Sequence, residues 1–219
     1  MSQKRFQLLV FDWDGTLMDS QARIVASCQS AIADLNLNER TLAQILGIIG
    51  LGLERAFATL FPKASASQWT QLVERYRYHF LNTHAQVPTP LFQGVKETLE
   101  TLQRTGYWLA VATSKSRKGL NQGLAETEMA NVFHSTRCAD ETRSKPEPQM
   151  LQEIMAELGM LPKDTLMIGD SKYDLQMAHN AGIAAVAVSY GVCETAELLK
   201  YKPLTCLSNL PALTTWLHS

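Results

Sequence analysis

The chain has 219 residues, of which 46% are hydrophobic and 19% charged. This is an ordinary globular composition, and the length suits one large domain or two small ones with a substantial core. A formal net charge of −1 gives a polyanion nothing to bind, so no nucleic-acid partner is expected.

The first element is a strand. Residues Phe6 to Phe11 are apolar except for Gln7, the pattern of a buried parallel strand. The run behind Lys4 and Arg5 is short and meets Asp12 at once, so neither a signal peptide nor a membrane span is expected. The strand ends in two carboxylates, Asp12 and Asp14, followed by the Gly15 turn and the Thr16 hydroxyl. Two acids at the end of a buried strand are costly unless a cation joins them. A divalent metal that also binds a phosphate would remove that cost.

No strand pattern follows until beyond Gly94. Instead, Ile24, Cys28, Ala31, Ile32 and Leu35 share one helical face, and Leu53, Phe57 and Leu60 suggest another. Trp69, Leu72, Val73, Tyr76 and Phe80 suggest a third, read as helical core. Gly50 and Gly52 between them either form a loop that reaches the site or simply separate two helices. Pro88-Thr89-Pro90 marks the return. A crossover of this length is abnormal. Residues 17–90 are therefore read as an inserted helical domain beside the Asp12/Asp14 site, placed to act as a lid, with 1–16 and 91–219 forming the core.

The second strand signal, Trp108–Ala112, leads to Thr113 and Ser114, either of which puts a hydroxyl at a strand end. Lys145 stands just before a helix whose apolar face is Met150, Leu151, Ile154, Met155 and Leu158. A third strand, Leu166–Ile168, ends in Gly169-Asp170, with Asp174 four residues on, and a fourth signal covers Ile183–Val188. Alternating apolar strands and helices predict an α/β fold with a doubly wound parallel sheet, its site at the carboxyl ends of the strands. If the first and third strands are neighbours, Asp12, Asp14 and Asp170 converge. An all-oxygen set suits Mg²⁺, and no His or Cys accompanies it to favour zinc. Several carboxylates and a phosphate need further positive charge, for which Lys145 is the natural candidate and Lys115 its rival. The five histidines have no triad partners. The four cysteines have no metal-ligand spacing and read as reduced thiols, which points to the cytoplasm.

Four motifs in order carry a resemblance: Asp12-Trp13-Asp14-Gly15-Thr16, then Thr113, then Lys145, then Gly169-Asp170 with Asp174. The chain resembles the phosphatases of the haloacid dehalogenase superfamily over nearly its whole length, and the helical insertion matches their small cap. The resemblance implies that Asp12 is the nucleophile, forming an aspartyl phosphate. It makes Asp14 the acid that protonates the leaving alcohol and the base that activates water. Mg²⁺ would be held by the Asp12 carboxylate, the Asp14 main-chain carbonyl and Asp170. Thr113 and Lys145 would bind phosphate oxygens, with Trp13, Gly15, Thr16 and Ser114 completing the phosphate site. Asp174 would support the metal shell or orient Lys145.

Within the superfamily, Asp14 argues against dehalogenation, because a halide leaves without a proton. Phosphosugar mutases commonly carry a histidine where this chain has Ile24. Asp19-Ser20, the segment Ile49–Leu53 and the run Gly169 to Gly191 look like phosphoglycolate phosphatases. Ser114-Lys115 in place of Asn-Lys, and Trp13 in place of an aliphatic residue, depart from that pattern. The expected partner is a small phosphate ester, with phosphoglycolate the leading candidate, acted on by a monomer or homodimer. A phosphosugar mutase and a non-catalytic phosphate-binding regulator are the alternatives.

Overall fold

The computed structural model describes residues 4–219. Six parallel strands form one sheet: β1 (Leu8–Phe11), β2 (Trp108–Thr113), β3 (Ser135–Cys138), β4 (Thr165–Gly169), β5 (Ala184–Val188) and β6 (Cys206–Leu207). Their spatial order is β3-β2-β1-β4-β5-β6. In this order the chain winds to one edge and then back from the centre to the other, so crossovers cover both faces.

The alternation of side chains along the strands builds two cores. Leu9 and Phe11, Leu109 and Val111, and Leu166 and Ile168 face one way. They meet Val95, Leu99 and Leu102 of α5 (Val95–Arg104), Leu120 and Leu124 of α6 (Arg117–Glu126), and Leu213 of α10 (Ala212–Leu217). Leu8, Val10, Ala110, Ala112 and Met167 face the other way, against α7 (Gln149–Leu158) and α8 (Lys172–Asn180). Each fully buried Leu or Ile contributes about 1.5–3 kcal/mol, so the α7 face of Met150, Leu151 and Ile154, buried in full, docks that helix firmly. A short helix α9 (Thr195–Leu198) precedes β6.

Four helices lie between β1 and α5: α1 (Gln21–Asp34), α2 (Leu42–Leu46), α3 (Leu53–Leu60) and α4 (Ala66–Tyr78). The last continues as a π-helical turn over His79–Thr83. Thr41 and Ser65 start α2 and α4 with reciprocal caps, their hydroxyls accepting from the third-residue amides of Gln44 and Gln68. The helices enclose their own apolar cluster around Ile32, Ile45, Phe57 and Leu72. The three long helices fall on the predicted faces, and α2 is an addition. Leu17 and Met18 belong to the sheet's core, and Met18 pairs with Leu91 where the two connecting segments meet. Among the described residues, no helix is long and apolar enough to cross a membrane.

The sequence signals for β1, β2, β4 and β5 match their strands to within about a residue. Two strands went unread. β3 reads Ser-Thr-Arg-Cys, without an apolar run, and its alignment comes from pairing with β2 from Ala110↔Ser135 to Thr113↔Cys138. β6 is two residues long and too short to show a period.

Candidate active site

The strand order places the motif residues together. Asp12 follows central strand β1, Thr113 ends β2 on one side, and Asp170 follows β4 on the other. The β1 ladder continues one residue, with the Asp12 amide donating to the Ile168 carbonyl at 3.0 Å. Ser171 caps α8, its hydroxyl accepting from the Asp174 amide, and Asp174 returns the contact to the Ser171 amide and hydroxyl. This reciprocal cap fixes Asp174 beside Asp12 and Asp170. Carboxylate oxygens of Asp12, Asp170 and Asp174 lie within 4.8 Å of one another.

Lys145 is wholly buried among them. Its ammonium donates to Asp12 Oδ1 at 2.5 Å and to Asp174 Oδ1 at 2.6 Å. Burial works against that charge, but the two carboxylates outweigh it and push the lysine's pKa up. Burial pushes the Asp12 carboxyl well above its usual range; Lys145 opposes this, while Asp174 and Asp170 add to it. Asp170 is pushed up to about 7 by burial and by Asp174, against hydrogen bonds from the Val192 amide and the Thr16 hydroxyl. Three buried acids with one buried amine between them leave negative charge uncompensated. A hard, oxygen-seeking divalent cation fits this donor set, as magnesium does.

Close packing aims Asp170. Thr16 Oγ1 and the Val192 amide each donate to it at 2.8 Å. Gly15 is left-handed (φ +90°), and a Cβ there would sit 2.2 Å from Asp170 Oδ2, so the turn needs a residue without a side chain. The Thr16 hydroxyl, expected at the phosphate, is thus engaged with Asp170. Ser114 is likewise engaged, donating to the Gly50 carbonyl at 2.5 Å. Thr113 Oγ1 accepts from the Lys115 amide at 3.1 Å and lines the cavity.

Asp14 stands apart from the acid cluster. Its carboxylate accepts both 2.9 Å bonds from Lys115 Nζ and a 2.6 Å bond from the Ser20 hydroxyl. A metal role for Asp14 therefore falls to its main-chain carbonyl, as the resemblance implies. The Trp13 ring packs in the core, edge-on to Phe133 and beneath Gly123 of α6, where a Cβ would lie 3.1 Å from the ring. Its indole N–H is buried without a partner among the described residues, so toward a phosphate Trp13 has only its amide to offer.

Asp12, Asp14 and Thr113 open into a cavity of about 420 Å³ whose other walls come from α1 to α4 and the loop between α2 and α3 on one side, and from Ser114–Ser116 and α6 on the other. That loop reaches the core. Besides the Ser114 bond to Gly50, Tyr173 of α8 donates to the Gly47 carbonyl at 2.8 Å. Tyr76 and Phe80, read from the sequence as helical core, also line the cavity; Trp69 packs beside the helical cluster and donates to the Phe61 carbonyl. His79 bonds Asp34 and Thr83, a structural role. Sequence reasoning missed Ser20 and the Val192 amide, whose partners are set by folding, and Ser171, whose Ser-x-x-Asp spacing to Asp174 was a readable capping signal; Ser20 sits in a stretch that signalled only resemblance.

Residues 9–188 match the haloacid dehalogenase-like hydrolase family. The chain is 35% identical over 199 residues to the "Probable phosphatase IndB" of Dickeya dadantii, covering 90% of this chain and 86% of that one. It is 33% identical over 196 residues to the phosphoglycolate phosphatase of Haemophilus influenzae, covering 85% and 87%. The crystal structure of a predicted phosphoglycolate phosphatase from Haemophilus somnus superposes with a TM-score of 0.86 at 26% identity, covering 98% of this chain and 99% of that one.

Proposed function

Since the chain belongs to the haloacid dehalogenase-like hydrolase family, we propose that it is a magnesium-dependent phosphomonoester hydrolase that works through an aspartyl phosphate on Asp12. The observation that carries this reading is the buried Lys145 that bridges Asp174 to Asp12, where Asp12 and Asp14 line the same cavity. Two carboxylates thus face one cavity in different surroundings: Asp12 in a buried cluster beside Lys145, Asp14 on the wall held by Lys115.

Lys145 fixes Asp12 through Oδ1. The Asp12 carboxylate attacks phosphorus, forming a carboxyl–phosphorus bond as the ester oxygen departs. Asp14 delivers a proton to that oxygen. In the second half Asp14 takes a proton from water, whose oxygen attacks phosphorus and releases Asp12. Thr113 and the amides of Trp13 and Asp14 bind the phosphate oxygens; the Gly15 amide is taken up by the Met18 carbonyl at 2.8 Å. Asp174 is a positioning residue that holds Lys145. Magnesium would be held by Asp12, Asp170 and the Asp14 carbonyl, and when bound it offsets repulsion between nucleophile and phosphate.

The helices of the 17–90 insertion serve as the cap, excluding bulk water during attack. Ile24, at the position of the mutase histidine, gives the cavity an apolar wall with no acid–base group, which favours water as the final acceptor. The test is magnesium-dependent phosphate release from a panel of monoesters, with Asp12→Asn as control. Release is expected from the native chain, and none from a folded Asp12→Asn protein. Equal turnover by the variant would overturn the mechanism.

A further inference from the structure

The cavity above Asp12 has walls unlike those a small acid requires. Ile24, Ile45, Ile49, Leu53, Phe57 and Phe80 supply much of its lining from the helical side. Its volume, about 420 Å³, lies in the range of sites for ligands of drug size. A glycolate leaving group has only a handful of heavy atoms and would leave most of that apolar space holding water.

Charge points the same way. A leaving group with its own carboxylate needs a cation inside the cavity that is free to meet it. Two inward cations line the wall. Arg23 donates through Nε and Nη2 to the Phe80 carbonyl, and its guanidinium lies 4.3 Å from the Phe80 ring centroid. Lys115 holds both Asp14 oxygens. The other lining cations, Arg77 and Lys118, are exposed, and the lining includes the acids Glu126 and Asp140 as well.

What the helical wall does offer is aromatic surface that carries a neutral donor, the Tyr76 hydroxyl. Tyr76 and Phe80 stack with centroids 5.8 Å apart and planes 28° from parallel. Tyr76 lines the cavity, and its hydroxyl takes part in no hydrogen bond among the described residues. Burial, with the nearby Asp14 charge, pushes its pKa well up, so it remains a phenol able to donate.

We propose that the physiological ester carries a bulky, uncharged, mainly apolar leaving group that packs on the Tyr76–Phe80 pair, with one polar atom for the Tyr76 hydroxyl, rather than a small carboxylate. This rests on the phosphomonoesterase reading above. It also replaces phosphoglycolate, which the sequence resemblance puts first.

The experiment compares kcat/KM for 2-phenylethyl phosphate, ethyl phosphate and phosphoglycolate with the full chain and magnesium. All three release primary alkoxides, so reactivity differs less than shape and charge. Phenylethyl phosphate is expected to exceed both others by about tenfold or more. Ile24→Lys, which adds an amine to the wall, is expected to move the ratio toward phosphoglycolate by a similar factor. The same esters are titrated calorimetrically into Asp12→Asn protein, so the ranking is read as Kd without turnover. Tightest binding or fastest turnover of phosphoglycolate overturns the proposal. Release from no ester would overturn the hydrolase reading alone, and the calorimetric ranking would still decide the leaving group.

Discussion

Lys145 is the residue on which the buried acids depend. It is fully buried, and its two ion pairs are the compensation that Asp12 and Asp174 receive. Lys145→Met keeps the volume and removes the charge. It is expected to destabilise the metal-free protein by about 3–5 kcal/mol near neutral pH, read from urea unfolding. The loss should shrink near pH 5, where the buried carboxyls left without the lysine take up protons instead; a loss independent of pH would show that packing, not charge, is what Lys145 supplies. Asp12, Asp14, Lys145 and Asp170 were legible because each stands at a strand end or before a helix in an otherwise apolar context. Thr16 and Ser114 were legible as polar groups near the site, but not in their partners. Whether a hydroxyl meets a phosphate, a carboxylate or a carbonyl depends on residues more than sixty positions away, as Asp170 is from Thr16 and Gly50 from Ser114. Lys115 was visible only as a rival to Lys145, since nothing local shows that its four-carbon stem ends on Asp14.

At the scale of elements, the loop between α2 and α3 is the part that joins helices to sheet. Gly50 has φ +101°, and a Cβ there would lie 2.6 Å from Ser171 Oγ and 3.1 Å from Tyr173. Gly50→Ala therefore meets both a conformational penalty and a steric one. The loop should lift from the core, and KM should rise about tenfold or more with little change in the unfolding midpoint of the sheet. Unchanged kinetics would show that the loop need not seat for catalysis. The sequence left two roles open for Gly50 and Gly52 because a glycine that ends a helix and one that permits close approach look alike. The strands divide for a related reason. A central strand buried on both faces announces itself by an apolar run, as Leu8–Phe11 does. An edge strand such as Ser135–Cys138 takes its register from its neighbour and needs no such run.

For the whole molecule, the order of elements was legible from the alternation of apolar strands and amphipathic helices, and the long gap after β1 revealed the helical insertion. The shape of the cavity between them was not, because Ile24, Phe57 and Phe80 become neighbours only when separate helices pack. Global stability should report the acid cluster. Asp170 is held near 7 in the folded chain, against 3.8 as its ordinary value. Between those values the folded state keeps a proton that the unfolded chain has released, so its stabilising effect is complete below the lower value and lost as pH rises through about 7. The metal-free protein is thus expected to lose thermal stability between about pH 4 and pH 7, and magnesium to raise the melting temperature more at the upper end. An increment from magnesium that is flat with pH would exclude these carboxylates as its ligands. The fastening of the loop carries a wider consequence. Ser114 and Tyr173 hold it by the carbonyls of Gly50 and Gly47, groups that every amino acid possesses. Ile48, Ile49 and Leu51, whose side chains shape the cavity, take no part in those two bonds. Mutation can rewrite what the pocket accepts while the clasp stays shut, so new substrates are open to this scaffold without the loss of an old closure.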